Sequence, residues 1–527
     1  MVKDADVHAL TGLLPRPVDI APGAVAAEGA RGPHALSPNA VEHDHDASLA
    51  PEGYRLVIER GTARIASSTS RGAAHAATTL ERIAELCGGV PDVTISDAPA
   101  LPHRGIIEGF YGEPWSDDER IATFRLARRL KLNSYVYAPK DDPYHRVRWR
   151  DPYPRVDLDR IARLARAATA EGIDFVFALH PAGSMRFSDD AEHALLAAKA
   201  RQLMGAGVRR FALLFDDVPP EPVHAEDAAR FGAGGAGLGA AHADATVRFA
   251  RDALAPAGLP APLVVPTDYA GTQQSDYRRA FAAGLADDVL VWWTGRDIVV
   301  GEVTRDDVDA AGAVFGDRLA LWDNFPVNDF DRGRAFLGPL LGRTTDLAGS
   351  ALRGAWTNPM VECAAGWFGI AAFADWAWNP AAYDPHRAAR AALDLVAGDA
   401  AAALAPLVRT LSSWPPSAPM DPELSALAAE ALAAGTPAAS APLRARFEEL
   451  DALREVAVEA EPAKTLQPWL AAAADAGRAG LAALDLLDGR PGSDPDRVRA
   501  ALDAATSHSA KVVVDIVPDF VRSVLAR

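Results

Sequence analysis

Eight short apolar runs recur between Gly105 and Pro359, and they constrain what this chain can fold into more than any other feature. They are GIIEGFYG, NSYVYAPKDD, DFVFALHP, FALLFDD, LVVPTDY, VLVWWTG, LALWDN and GAWTNP, and each ends on polar, aromatic or Gly/Pro residues. Segments of helical periodicity separate most of them, beginning with SDDERIATFRLARRLKLN, LDRIARLARAATAEG and DAEHALLAAKARQLMGAG. Strands buried on both faces read as continuous apolar runs, and parallel strands need crossovers long enough for a helix. Eight such units are the number that closes a (β/α)8 TIM barrel. In the first crossover Ser116 and Glu119 stand at capping-box spacing. The last link, DRGRAFLGPLLGRTTDLAGSA, is the weakest of the expected helices.

The flanks differ from the repeat. Residues 1–99 read as a small α/β domain, in which YRLVIERGTARIAS alternates like a strand pair turning at Arg60-Gly61 and GAAHAATTLERIAELC has helical spacing. Residues 100–385 hold the barrel. Residues 386–527 are Ala-rich with helical periodicity, and Trp469 is read as core of that C-terminal helical domain. The fold class is therefore α/β, a TIM barrel with a small domain before it and helices after it.

Charge and composition narrow the partners. A net charge of −18 argues against nucleic acid and against an anionic membrane surface. No stretch approaches 18 uninterrupted apolar residues, so no membrane span is expected. Two cysteines, Cys87 and Cys363, exclude a disulfide framework and leave no set for a structural zinc site. The opening MVKDADVHALTGLLPRPVDI has no apolar core of signal-peptide length, so a cytoplasmic location is expected. The run EHDHD, residues 42–46, has metal-ligand composition but lies in a Pro/Ala-rich stretch and is read as a solvated loop. No metal and no cofactor are expected.

Barrel chemistry is done at the carboxyl ends of the strands. The residues there include Gly109, Tyr111, Lys140, His180, Asp216, Asp217, Tyr269, Trp293, Trp322, Asn324 and Asn358. Aromatic walls with carboxylates and amides suit a sugar, which offers flat C–H faces and many hydroxyls. Most glycosidases set two carboxyl groups about 5 Å or more apart across the scissile bond. Asp216 and Asp217 are adjacent, which fits instead the exception in which a 2-acetamido group of the substrate is the nucleophile. Repulsion between the two is expected to raise the proton affinity of one of them. A second pair, Asp141-Asp142, precedes an Arg-rich segment and is read as a salt-bridged loop.

The motifs RGIIEGFYGEPW, LNSYVYAPKDDPYHRVRWRDPYP, FALLFDDV, VPTDYAG, WTG, LWDN followed by ND, and TNP resemble glycoside hydrolase family 84. These are O-GlcNAcase-like β-N-acetylglucosaminidases, some known as hyaluronidases. The resemblance covers residues 100–385 in order and the N-terminal domain more loosely. It implies a retaining, substrate-assisted reaction through an oxazoline, without a metal. By the same resemblance Asp216 orients and polarises the acetamide, and Asp217 is the general acid/base. Tyr269 bonds near the reacting centre, Trp322 walls the acetamide and Asn324 contacts it. Gly109, Lys140, Asp329 and Asn358 bind sugar hydroxyls, and Trp293 lies beside the pocket. His180-Pro181 departs from a Ser-Pro found in many relatives and is read as a local variation in preference to a pH-sensitive contact.

The expected activity is thus exo-hydrolysis of terminal β-GlcNAc from a glycoside or glycoprotein, with O-GlcNAc on Ser and Thr of proteins as one candidate substrate. Two other readings stand beside it. One is an endo-acting hyaluronidase, whose polyanionic substrate a charge of −18 would repel. The other is an amino-sugar-binding barrel without catalysis.

Overall fold

The computed structural model describes residues 9–22 and 41–527. Residues 1–8, on which the signal-peptide reading partly rests, lie outside them. The described residues form two compact units: those of 1–325, 341–359 and 370–391 in the first, and 326–340, 360–369 and 392–527 in the second.

Within the first unit, five strands make an N-terminal sheet: β1 (Asp19–Pro22), β2 (Val41–His45), β3 (Tyr54–Glu59), β4 (Thr62–Ser67) and β5 (Val93–Asp97), in the order β1-β5-β3-β4-β2. The β3–β4 hairpin turns at Arg60 and Gly61, with φ of 51° and 78°. Two successive left-handed residues give the turn whose twist matches the strands, and a glycine takes the second at no steric cost. Alternation in β3 buries Tyr54, Leu56 and Ile58 against Leu80 and Ile83 of the helix Ser70–Cys87. The EHDHD run is not a loop. Four of its residues belong to β2, an edge strand paired in parallel with β4. Its outward charges, with Glu42 receiving a bond from Arg64 at 3.3 Å, discourage another chain from adding to the edge.

All eight apolar runs are strands: β6 (His103–Glu108), β7 (Ser134–Tyr137), β8 (Asp174–Leu179), β9 (Arg210–Leu214), β10 (Leu263–Val265), β11 (Val291–Trp293), β12 (Leu319–Asp323) and β13 (Gly354–Thr357). They close into one parallel barrel. The (β/α)8 expectation is borne out. Volume is matched across the barrel interior: Trp292, Trp322 and Trp356 from β11–β13 share it with Ala138, Ala178 and Ala212 from the β7–β9 side. Trp356 donates its indole N–H to Ser134 at 2.8 Å. Gly105 makes this possible, because a Cβ there would stand 2.4 Å from the Ser134 hydroxyl and 2.5 Å from the Trp356 ring.

The first crossover helix, Asp117–Arg129, starts on a capping box of Ser116 and Glu119. The weakest expected helix is absent. Residues 324–353 contain none, since Pro339 and glycines such as Gly342 (φ 71°) and Gly349 (φ 67°) favour irregular backbone. Its part in the first unit is pinned instead by Arg343, which pairs with buried Asp323 through two bonds of 2.7 Å.

The second unit is helical, with Pro437–Asp451 packed on Ala463–Leu487. Gly477 and Gly480 let these helices approach, since added Cβ atoms would sit 2.6 Å from the Phe447 carbonyl and 2.4 Å from its ring. Trp469 is 4% exposed and donates to the Gly333 carbonyl. One run, Pro385–Thr410, is long and apolar enough by composition to cross a membrane. Gly398–Ala400 forms a 3-10 turn within it.

Candidate active site

The strand β9 explains how a buried run ends on two carboxylates. Phe215 extends the ladder, donating its N–H to Val265 at 2.9 Å and stacking on His242 at 4.2 Å. Adjacent side chains on a strand point to opposite faces. Asp217 departs from the strand with φ of 55°, a left-handed conformation that aspartate tolerates and that brings both carboxylates to one lysine. Lys140 Nζ lies 2.7 Å from Asp216 Oδ2 and 3.7 Å from Asp217 Oδ2.

The two carboxylates then meet different surroundings. Asp216 is buried, with Oδ2 taken by Lys140 and Oδ1 without a partner. Burial would push its carboxyl up, but the Lys140 ammonium and His180 outweigh burial and hold it well below the usual carboxylate range. Burial disfavours charge on Lys140 too, and Asp216 and Asp217 reverse that and raise it. Asp217 faces the opening. Its Oδ2 accepts from the Tyr111 hydroxyl at 2.6 Å and its Oδ1 from Tyr269 at 3.1 Å. The bare repulsion expected between adjacent aspartates is therefore offset by the lysine they share.

The amides form a second group. Asn324 Oδ1 accepts from the Trp322 indole at 2.8 Å and from Asn358 Nδ2 at 2.9 Å. Asn358 Oδ1 accepts in turn from the Gly109 N–H at 3.3 Å. These bonds fix which way each amide points. Gly109 leaves no room for a side chain unless the Trp322 ring moves, because a Cβ would stand 2.6 Å from it.

The structure thus joins Lys140, Asp216, Asp217 and Tyr269 in one bonded group and Gly109, Trp322, Asn324 and Asn358 in another. It does not join Trp293 to either. That indole is fully buried outside the barrel interior, donating to the Gly271 carbonyl at 2.9 Å, while its neighbour Trp292 faces inward. Asp329 belongs to the second unit. Asp142 is a hydrogen-bonded hub, not a salt-bridged loop, accepting from Tyr137 at 2.9 Å and Tyr153 at 2.8 Å.

Sequence reasoning gave no role to Tyr111, whose hydroxyl reaches Asp217 and accepts from Arg146 at 3.3 Å. The signal available was its place in EGFYG. His180, read from the sequence as a local variation, has its Nε2 2.8 Å from the Asp216 carbonyl. Among the described residues no three His, Cys, Asp or Glu side chains converge as a metal site.

A TIM barrel with paired carboxylates and amides at its strand ends is of the glycosidase class. The chain belongs to the β-N-acetylglucosaminidase family, glycoside hydrolase family 84, whose model matches residues 104–409. A model described as glycosyl hydrolase family 20, domain 2, matches residues 9–98. The Protein O-GlcNAcase of Rattus norvegicus and that of Mus musculus are each 35% identical over 279 residues. Those matches span 52% of this chain and only 29% of each relative. The solved structure of CpGH84B has a TM-score of 0.83 at 24% identity, covering 97% of this chain and 99% of its own. A mutant of the Thermobaculum terrenum O-GlcNAc hydrolase has a TM-score of 0.71 at 26% identity, covering 81% and 94%.

Proposed function

We propose that this chain is a retaining exo-β-N-acetylglucosaminidase in which the substrate's own acetamide is the nucleophile. The observation that carries the reading is the unpartnered, buried Oδ1 of Asp216, beside an Oδ2 already held by Lys140. A buried carboxylate oxygen without a donor is costly, and an acetamide N–H would supply one. Accepting that bond aligns the acetamide oxygen with the anomeric carbon and offsets the positive charge that develops as the oxazoline forms. Asp217, at the open side, gives its proton to the departing oxygen and later takes one from the water that opens the ring. Tyr269 and Tyr111 hold Asp217 in place.

Trp322 walls the acetamide, and Asn324 contacts it. Gly109, Lys140 and Asn358 take the hydroxyls, and Trp293 supports the loop at Gly271. The names of the mammalian and Thermobaculum relatives support O-GlcNAc on protein Ser and Thr as the natural substrate. A chain with only two cysteines, Cys87 and Cys363, suits a cytoplasmic enzyme.

The test compares an aryl β-GlcNAc with the same glycoside bearing an N-trifluoroacetyl group. Steep loss of turnover as fluorine weakens the nucleophile is the expected result. Indifference to fluorine would mean that an enzyme carboxylate attacks. Binding of GlcNAc with no turnover of either compound would mean a binding barrel.

A further inference from the structure

Behind Asp216 stand two histidines that this reaction does not use. His145 and His180 are 0% and 2% exposed, and their ring centroids lie 6.4 Å apart at 72°. The His180 main-chain N–H donates to the His145 carbonyl at 2.9 Å. His180 Nε2 faces the Asp216 carbonyl at 2.8 Å, and His145 Nδ1 faces the Ala178 carbonyl at 2.6 Å. A carbonyl only accepts, so each of these nitrogens carries the hydrogen and the neutral tautomers are set. His180 Nδ1 and His145 Nε2 are then bare lone pairs, and both are buried with no partner. The free Asp216 Oδ1 is 3.5 Å from His180 Nε2. Three buried acceptors share one region without a donor, an arrangement short of a proton.

We propose that His180, backed by His145, is a positioning residue for Asp216: the pair takes up one proton from solvent as the pH falls, and the resulting imidazolium draws Oδ1 away from the acetamide N–H it serves in the neutral state. The inference rests on the proposed reaction. In the neutral pair the His180 N–H is directed at the Asp216 main-chain carbonyl, which holds the strand end and leaves Oδ1 to the substrate. A proton arriving at His180 Nδ1 leaves the Nε2 hydrogen in place and makes the ring a second cation, 3.5 Å from Oδ1.

The charged and titratable groups around the pair are Asp216 and Asp217 from the end of β9, Lys140, Asp142 and Arg146 from the loop after β7, and His242 from the helix Gly234–Phe249. Asp216 is held too low by Lys140 to titrate in mild acid. Burial pushes His145 down to about 4 and His180 in the same direction, so uptake falls below neutrality.

The test is the pH profile of kcat and kcat/KM on an activated aryl β-GlcNAc for the wild type and His180→Gln. Glutamine's amide reaches the Asp216 carbonyl much as Nε2 does but takes up no proton. The comparison is of midpoints and not of plateaus, since the plateau of the variant is expected to be lower. The acid midpoint of His180→Gln should move down by about one pH unit or more, a tenfold gain in retained activity on the acid limb. A purely structural role for His180 predicts loss at every pH with the midpoint unmoved, and that result overturns the proposal. NMR of wild-type protein labelled with 15N-histidine gives a readout without turnover. His180 should show a single N–H at Nε2 at neutral pH and gain a second on the midpoint of the acid limb. Rings that keep one hydrogen each through that limb also overturn the proposal. Absence of turnover on every glycoside would count against the proposed reaction, while the NMR titration still decides the proton uptake.

Discussion

Replacing Lys140 by Met keeps an apolar stem and removes the one cation that both aspartates share. The Lys140 and Asp216 side chains are 3% and 9% exposed, with 2.7 Å between their charges, so solvent screens them little. At an effective dielectric constant of about 20, 332/(20 × 2.7) gives a gross attraction of about 6 kcal/mol. At 1.36 kcal/mol per unit this is roughly four pK units, an upper bound from which relaxation of the site subtracts. With the lysine gone, burial acts on the Asp216 carboxyl with far less opposition and pushes it up. The acid midpoint of kcat/KM should then rise by about two units or more, and activity at pH 7 should fall about 100-fold.

Stability follows the same linkage. The Asp216 carboxyl is depressed in the fold, so its share of the pair is complete above the ordinary carboxylate range and fades as pH falls through the depressed value. The Lys140 share is complete below the ordinary lysine range and fades only as pH rises through its raised value. Lys140→Met should therefore lose about 3–5 kcal/mol near pH 7, and the gap should narrow by ~1 kcal/mol or more at pH 3. Urea denaturation at the two pH values, beside the pH–rate profile, measures both. An unmoved acid midpoint together with a stability gap that ignores pH would refute the claim that Lys140 keeps Asp216 charged.

Asp217→Asn should cut kcat by about 10²–10⁴ on alkyl or serine glycosides and much less on dinitrophenyl ones, which need no proton; equal losses would remove the acid role. Gly109→Ala places a Cβ 2.6 Å from Trp322 Cζ2 and 2.9 Å from Ile107 Cγ2, so the indole must shift. That variant should lose about 1–3 kcal/mol of stability and raise KM for β-GlcNAc about tenfold, and an unchanged KM would show that Trp322 does not wall the sugar. Arg343→Leu leaves Asp323 buried without its partner and should cost about 3–5 kcal/mol in denaturation, with KM of the folded fraction preserved. A large change in KM there would place Asp323 in the sugar site.

The barrel was legible because its eight strands are buried on both faces, so hydrophobicity alone marks them off from the crossovers. The link after β12 was not, because scattered leucines imitate helical spacing while glycines and a proline decide the backbone. EHDHD was misread because an edge strand with outward charges has no apolar alternation to show. Trp292 and Trp293 pose the parity problem in its purest form. Neighbours on a strand face opposite ways, and two identical residues carry no hint of which is inside. Only the register of β11 on β12, with Trp292 opposite Ala320 and Trp293 opposite Leu321, settles it.

The aspartate pair shows the deeper reason why a site is read less completely than a fold. FDD announces two carboxylates at a strand end but not that they occupy different environments. That division comes from one left-handed residue, Asp217, which turns its side chain toward two tyrosines at the opening while Asp216 stays among Lys140 and His180. No residue type encodes that turn, since aspartate tolerates it without preferring it. It is imposed by the partners on either side, and they come from four other strand ends. Adjacent residues can hold separate tasks here because the fold supplies each with its own neighbours, and chemistry that depends on such neighbours becomes visible only when the barrel closes.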